Sequence, residues 1–501
     1  MNTALEHQAE ARAHWSLVAA ALLATYMQAV NISIPNAAVL HVQGGLSMTD
    51  DEIGWVFSSY IAAGAIVMPL THWLAGRFGR KKVFLVSLAI FSVGLILDTL
   101  AKTPLQFVSA RILQGAASGT LAPLSMAILL HELPPLRHGR IGVAWSVTSL
   151  LGILSGPAMG GWLGEYLGWH AIFYVSFPMA AFIAVAMGCY LKEKKLHKRE
   201  HFDFFGWMTF SIGIAGLQMM LDRGERMEWF ASPEIWVEAI ASIIGFYLFI
   251  VHVCTRSEHF LHKALFTNCN YGVATVMFFA FGIVLLPTLA LTSPMLEELL
   301  GYPADTAGYI TIPRGVALLA ALLLTWRAPT KFDNRLLIIV GLTLVAYGNW
   351  RMLGYSPLMD WWPVVAAGAI QGAGLGMLMP ALTRAAFSTL EPQFRAEGTV
   401  LFNLSRLYGS TIGIAVVQIY FYSNTQSMHL ALANNLRPYR IGGDALSGQA
   451  LALMNELVTG QAAVVAVIGQ FKLLMIAMLI VSPLVLLLRK PRPGLVPGVA
   501  K

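Results

Sequence analysis

Only 12% of this 501-residue chain is charged, while 57% is hydrophobic. The few polar residues set inside apolar stretches therefore carry most of its chemical information. Arg111 and Gln114 stand three apart, on one face of a helix, and Asn403 and Arg406 repeat that spacing near the other end of the chain. A cation inside a bilayer costs at least about 2.5–3.5 kcal/mol, so it normally faces a partner or a water-filled cavity. Gln28 and Asn31 add two amides to the first apolar run. Together these six residues suit the lining of a cavity that receives an amphipathic or anionic molecule. Asp98 is the acidic residue placed well inside an apolar run, near its outer end. Arg111 sits at a similar depth across a short connection. The expectation is that the two pair and that Asp98 carries an exchangeable proton. Cys189, Cys254 and Cys269 have neither C-x-x-C nor metal-ligand spacing, and the chain has no phosphate loop or hydrolase signature. The reading is therefore no enzyme, no cofactor, no metal and no nucleic-acid partner.

These residues need elements to hold them. A mean hydropathy of +0.65 excludes a soluble globular or disordered chain. Apolar runs lie near 15–38, 53–75, 82–101, 105–131, 140–163, 170–191, 205–221, 234–254, 270–293, 306–326, 336–354, 361–388, 398–422 and 469–488. At about 20 residues per span they predict an all-α polytopic membrane protein of fourteen spans. With the N-terminus inside, about 22 Lys and Arg fall on the inner side, among them Arg77, Arg80, Lys194, Arg199 and Lys263. About five fall outside. That bias places both termini in the cytoplasm. The longest external segment, 423–468, reads as a solvated loop, with a short interfacial helix or a partner contact as the alternatives for its amphipathic second half (Ala450 to Val467).

Gln114, Gly115, Gly119, Pro123, Gly152 and Gly156 recur 257 residues later as Gln371, Gly372, Gly376, Pro380, Gly409 and Gly413. One offset shared across two spans argues for two related halves, with the substrate between them. The division is 1–191 as an N-terminal six-helix bundle, 192–265 as a basic linker with two inserted helices, and 266–501 as a C-terminal six-helix bundle. Gly152, Gly156, Gly160 and Gly161 lie at helical spacing around Pro157. They form a stripe that admits a close neighbour on a helix that can bend, which suits a sealed interface between the halves.

Several segments resemble one family. Gly152, Gly156-Pro157 and Gly160-Gly161 are similar to the antiporter motif of span five in the major facilitator superfamily. Arg111-Ile112-Leu113-Gln114-Gly115 resembles its R-x-x-Q-G motif of span four. Leu74-Ala75-Gly76-Arg77-Phe78-Gly79-Arg80-Lys81 resembles the loop between spans two and three, with Gly76 in place of the usual Asp. Leu221-Asp222-Arg223-Gly224 resembles the turn after span seven in the fourteen-span branch. The resemblance is to the fourteen-span drug:proton antiporters of the EmrB/QacA type. It implies the major facilitator fold and proton-coupled multidrug efflux by alternating access, with Arg77, Gly79 and Arg80 gating at the inner face. It also implies a bacterial inner-membrane setting, a small-molecule substrate, contact with membrane lipid, and work with a periplasmic adaptor and an outer-membrane channel. Where the family carries an aspartate in span one this chain has Asn31, which cannot titrate, and Asp98 is the candidate substitute for a coupling proton. The alternatives are an exporter of a specific anionic metabolite, fatty acid or siderophore, or a non-transporting receptor or scaffold.

Overall fold

Inside a bilayer every backbone N–H and C=O must be satisfied within the segment, so apolar runs of this length become helices. In a computed structural model of the protein, helices occupy all fourteen predicted positions. The structure describes residues 2–49, 52–133, 138–193, 202–255, 265, 267–327, 333–391, 394–435 and 448–489. Much of the basic linker, including Lys194, Arg199 and Lys263, lies outside the described residues.

The helices are α1 (Asn2–Ser33), α2 (Trp55–Val67 with Leu70–Phe78), α3 (Arg80–Leu100), α4 (Pro104–Glu132), α5 (His138–Leu167), α6 (Ser176–Tyr190), α7 (Phe204–Arg223), α8 (Pro233–Thr255), α9 (Cys269–Pro294), α10 (Ala304–Arg327), α11 (Asn334–Met352), α12 (Trp362–Phe387), α13 (Arg395–Asn435) and α14 (Gly448–Val481). "Inner" below denotes the face at which α1 begins. Side-chain caps close the helix starts where the sequence offers them. Thr103 accepts from Gln106 N before α4, Asp203 from Gly206 N before α7, and Asn268 from Tyr271 N before α9.

Among the described residues, twelve helices are long and apolar enough to cross a membrane, and the two pieces of α2 make a thirteenth span when taken together. The run 53–75 is thus not one straight helix. It bends by 54° at Met68-Pro69, where proline removes a donor from the ladder. The helix α11 is not among the twelve. It has 19 residues with Arg335 and Arg351 near its two ends, yet it lies along α12, with Gly341 against Leu378 and Gly348 against Gln371.

The segment 423–468 is not a plain loop. Its described residues continue α13 and begin α14, which are 41 and 34 residues long. At 1.5 Å per residue these helices measure about 60 and 50 Å, against a hydrocarbon core of about 30 Å. They therefore project beyond the outer face as an antiparallel hairpin. His429 Nε2 lies 3.0 Å from Asn455 Oδ1 across it. A hydropathy window ends a span where the apolar run ends, and so it misses a helix that continues into water.

Two packing seams join the halves. Along one, Gly308 meets the Pro157 carbonyl, Gly315 meets Leu154, and Gly161 meets the Ala304 carbonyl, so α5 lies against α10. Along the other, Gly54 at the start of α2 meets the Gln418 side chain of α13. The inserted pair α7–α8 sits over this second seam. Trp207 Nε1 donates to Ile66 O of α2 at 2.8 Å, and Phe210 packs edge-on against Tyr408 of α13.

Candidate functional site

Asn31, Arg111 and Gln114 have no exposed surface. In this conformation they do not line an open cavity. They form a polar knot inside the N-terminal bundle, because a buried guanidinium has five N–H groups to satisfy and finds backbone carbonyls within reach. Arg111 Nε donates to Val56 O at 3.1 Å and Nη2 donates to Asn31 O at 3.0 Å, which joins α4 to α2 and α1. Its third arm donates to Gln114 Oε1. Gln114 Nε2 in turn donates to Asn31 Oδ1 at 3.4 Å, and Asn31 Nδ2 donates to Ser176 Oγ at 2.8 Å, which brings in α6. The guanidinium also stacks 4.3 Å from the Tyr60 ring centre. Tyr60 donates to the Gln28 carbonyl at 3.2 Å. Gln28 thus enters the knot through its main chain.

The C-terminal bundle holds a second knot whose arginine lies on a different helix. Arg314 of α10 donates through Nε to Gln371 Oε1 at 2.9 Å and through Nη2 to Leu285 O of α9 at 3.0 Å. Gln371 Nε2 donates to Thr288 Oγ1 and to Asn349 Oδ1. Gln371 is the repeat mate of Gln114, so the mate of Arg111 is Gly368. The mate of Tyr60 is Arg314: Gly115 abuts the Tyr60 carbonyl as Gly372 abuts that of Arg314. The Arg314 chain also runs past the bare Gly368 Cα. The two halves keep one guanidinium and one glutamine at the same place, with the arginine moved from the fourth helix of its bundle to the second. Reading by identical residues at a single offset missed this, because neither member of either pair matches its mate.

Asn403 and Arg406 do not reproduce the Arg111–Gln114 arrangement. Asn403 Nδ2 donates to Thr399 O within its own helix, and the two residues are only partly buried. The Arg406 guanidinium has no hydrogen-bond or ionic partner among the described residues. Their repeat mates on α5 are Ser146 and Ser149, which are also partly exposed. Side chains in the inner halves of α5 and α13 are therefore partly exposed at equivalent positions, and Arg406 adds a cation on α13.

The expected ion pair between Asp98 and Arg111 is not formed. Asp98 is fully buried on α3, and neither carboxylate oxygen has a hydrogen-bond partner among the described residues. Gly94, one turn earlier, packs on Gln114, so the antiparallel α3–α4 pair sets Asp98 at the level of Arg111. The guanidinium there is already committed to Val56 O, Asn31 O and Gln114.

The glycine stripe serves two neighbours. A Cβ at Gly152, Gly156 or Gly160 would strike α1 or the turn after it: Tyr26 O and Ala29, Ser33, and Ile34 O respectively. Only Gly161 and the Pro157 carbonyl meet α10 of the other half. The stripe is thus mainly an interface within the first bundle, and its outer end reaches across. At the inner face, Gly79 turns the chain with φ +94°. Lys81 Nζ donates to Gly188 O at the end of α6 at 2.6 Å. Arg77 lies over the rings of Trp73 and Phe78, and Arg80 is exposed. These described contacts all stay within the N-terminal half.

Two bundles with related internal packing, joined along paired helix seams, define a membrane transporter rather than an enzyme. The chain belongs to the Major Facilitator Superfamily, whose model matches residues 18–414. It is similar to the multidrug export protein EmrB of Haemophilus influenzae, with 28% identity over 425 residues that cover 84% of this chain and 83% of the relative. It is also similar to the fatty acid resistance protein FarB of Neisseria gonorrhoeae, with 29% identity over 481 residues covering 94% and 95%. Among solved structures, a bacterial homologue of the human lysosomal transporter Spinster, inward-facing and occupied, superposes with a TM-score of 0.65 over 96% of this chain and 98% of that one. At 13% identity that likeness speaks for the fold alone.

Proposed function

We propose that the chain is a secondary active exporter of amphipathic small molecules, drugs among them, that works by alternating access in a bacterial cytoplasmic membrane with both termini inside. The observation that carries this reading is one-sided closure. At the outer face the halves touch along both seams, through Gly161 and Gly308 on one and Gly54 on the other. Toward the inner face, residues 141–149 of α5 and 399–407 of α13 include many partly exposed positions. A cavity open inward loads from the cytoplasm or the inner leaflet, and rocking the halves about their seams releases its contents outward. The unpartnered guanidinium of Arg406 favours substrates with an anionic head, and the similarity to a fatty acid resistance protein supports that preference. The projecting α13–α14 hairpin offers a surface for a periplasmic adaptor that leads to an outer-membrane channel.

Asp98 is the proposed proton carrier, with Arg111 as its switch. Asp98 is buried with neither carboxylate oxygen partnered among the described residues, so a bare charge where it lies is costly. When Asp98 loses its proton, the new charge draws the guanidinium away from Asn31 O and Val56 O. Deprotonation then loosens α1 and α2, which form part of the moving face, and so couples proton release to rearrangement. In purified protein reconstituted into liposomes, an imposed pH gradient is expected to drive concentrative uptake of a labelled amphipathic acid into inside-out vesicles. Asp98→Asn should abolish the gradient dependence and leave substrate binding intact. Gradient-driven uptake at the parental level in Asp98→Asn would overturn the assignment.

A further inference from the structure

The inserted pair α7–α8 is attached to α2 and to α13 in unlike ways. Its ties to α2 are directional. Ser58 Oγ donates to Asp222 Oδ2 at 2.7 Å, and Trp55 Nε1 donates to the Asp222 carbonyl at 3.3 Å. Just beyond the two helices, Arg226 Nη1 lies 3.1 Å from Glu52 Oε1. About four turns away along α7, Trp207 Nε1 adds its bond to Ile66 O. The contact with α13 is one ring on another, Phe210 edge-on to Tyr408 with 5.8 Å between centres, and the Tyr408 hydroxyl has no hydrogen-bond partner among the described residues. A hydrogen bond holds a length and an angle, whereas apolar contact is non-directional and lets surfaces slide. Asp222 sits where the directional attachment meets the seam. Its carboxylate accepts from Ser58 and from Gln218 Nε2, the latter at 2.8 Å and one turn earlier on α7. Ser58 N in turn donates to Gly54 O at 2.9 Å. Trp55 and Ser58 thus belong to the turn whose Gly54 packs on Gln418 of α13. Arg223, next in sequence, is taken up by Glu234 and Glu238 of α8.

We propose that Asp222 is a positioning residue for outer closure: through Ser58 it fixes the first turn of α2 to the inserted pair, so that α2, α7 and α8 move as one body and Gly54 seats against Gln418. The role is one of hydrogen bonding, not of charge. Both neighbours donate to the carboxylate, so an amide in its place keeps both bonds, accepting from Ser58 and donating to Gln218 once that side chain is turned over. Asp222 therefore differs from Asp98, whose proposed role needs a proton that comes and goes. The inference rests on alternation between closed and open outer faces and is independent of the direction and the coupling of transport.

The experiment follows opening at the other seam, where Ala304 is 2% exposed and its carbonyl lies against Gly161. On a background in which Cys189, Cys254 and Cys269 are serine, Ala304→Cys is labelled with a methanethiosulfonate reagent in lipid nanodiscs. A residue buried in the closed form is labelled in proportion to the population of the open form. Asp222→Ala and Ser58→Ala approach one bond from its two sides. Each should raise the labelling rate at least threefold, and the two together should go no further than the larger single effect. Asp222→Asn should stay within twofold of the parent. Glu234→Gln, which breaks an ion pair between α7 and α8 alone, should leave the rate unchanged. Unchanged rates in both alanine variants would overturn the proposal. So would an Asp222→Asn rate equal to that of Asp222→Ala, which assigns the effect to charge, or an equal rise in Glu234→Gln, which assigns it to general weakening of the pair. Flux by the parent protein is measured separately. Its absence beside the expected labelling pattern removes the exporter reading and leaves this one standing, whereas normal flux beside unchanged labelling removes this one alone.

Discussion

The exchange of arginine between helices makes a prediction that can be worked through. Arg314 ties α10 to α12 and α9 through Gln371 Oε1 and Leu285 O. Interhelical hydrogen bonds in membrane proteins contribute about 0.6 kcal/mol on average and up to about 1.7 kcal/mol, so removing both costs about 1–3 kcal/mol. For a unit the size of one bundle, about 2–4 °C accompanies each kcal/mol. Arg314→Tyr alone should therefore lower the midpoint of thermal unfolding by roughly 2–12 °C, followed by intrinsic fluorescence in detergent micelles. Adding Gly368→Arg copies the N-terminal arrangement into the C-terminal bundle, with the aromatic ring on the second helix of the bundle and the arginine on the fourth. A Cβ at Gly368 would meet the Arg314 chain no closer than 3.5 Å, so there is room once that chain is gone. The double variant should recover at least half of the loss. A double variant less stable than Arg314→Tyr would refute the claim that the two knots are equivalent.

Other outcomes follow from the same geometry. Arg111→Met removes two interhelical hydrogen bonds and the stack on Tyr60, the latter about 0.5–2 kcal/mol, so it should destabilise more than Arg314→Met in the same melting assay. Gly156→Val would drive side-chain atoms into Ser33 and the Ile34 amide of a tightly packed turn. It should reduce folded yield on size-exclusion chromatography, whereas Gly76→Ala, which meets nothing within 4 Å, should be neutral. Arg406→Gln should raise the KM for an amphipathic acid about tenfold and leave that for an uncharged amphiphile within twofold. Equal effects on both would remove Arg406 from substrate recognition.

Much of the fold was legible because bilayer physics leaves few options. Apolar runs of about 20 residues must be helices, and the recurrence of Gln114 and Gly115 as Gln371 and Gly372 exposed the two halves. The site was less legible, for identifiable reasons. Arg111 and Gln114 stand out as polar residues in an apolar run, but the sequence does not say whether such a pair faces a cavity or neighbouring carbonyls. Here the carbonyls of Asn31 and Val56 claim them. Arg314 is a charge in mid-span, and its kinship with Tyr60 is hidden in the sequence. The second helix of each bundle is offset by 254 residues rather than 257, and the residue types differ. The glycines of α5 announced close packing without naming the partner, which is α1 at Gly152, Gly156 and the adjoining turn at Gly160. Of the α13–α14 hairpin only the amphipathic half at 450–467 was legible, because the polar residues from 423 onward end the apolar run while the helix continues.

The central claim is outward, proton-driven transport from a cavity open to the inner face. It is tested most directly by flux of a labelled amphipathic acid into inside-out proteoliposomes under an imposed pH gradient, acid inside. The account predicts concentrative uptake that collapses with a proton uncoupler and is absent from empty vesicles. Uptake that equals that of empty vesicles, or that persists unchanged with the uncoupler present, would contradict it.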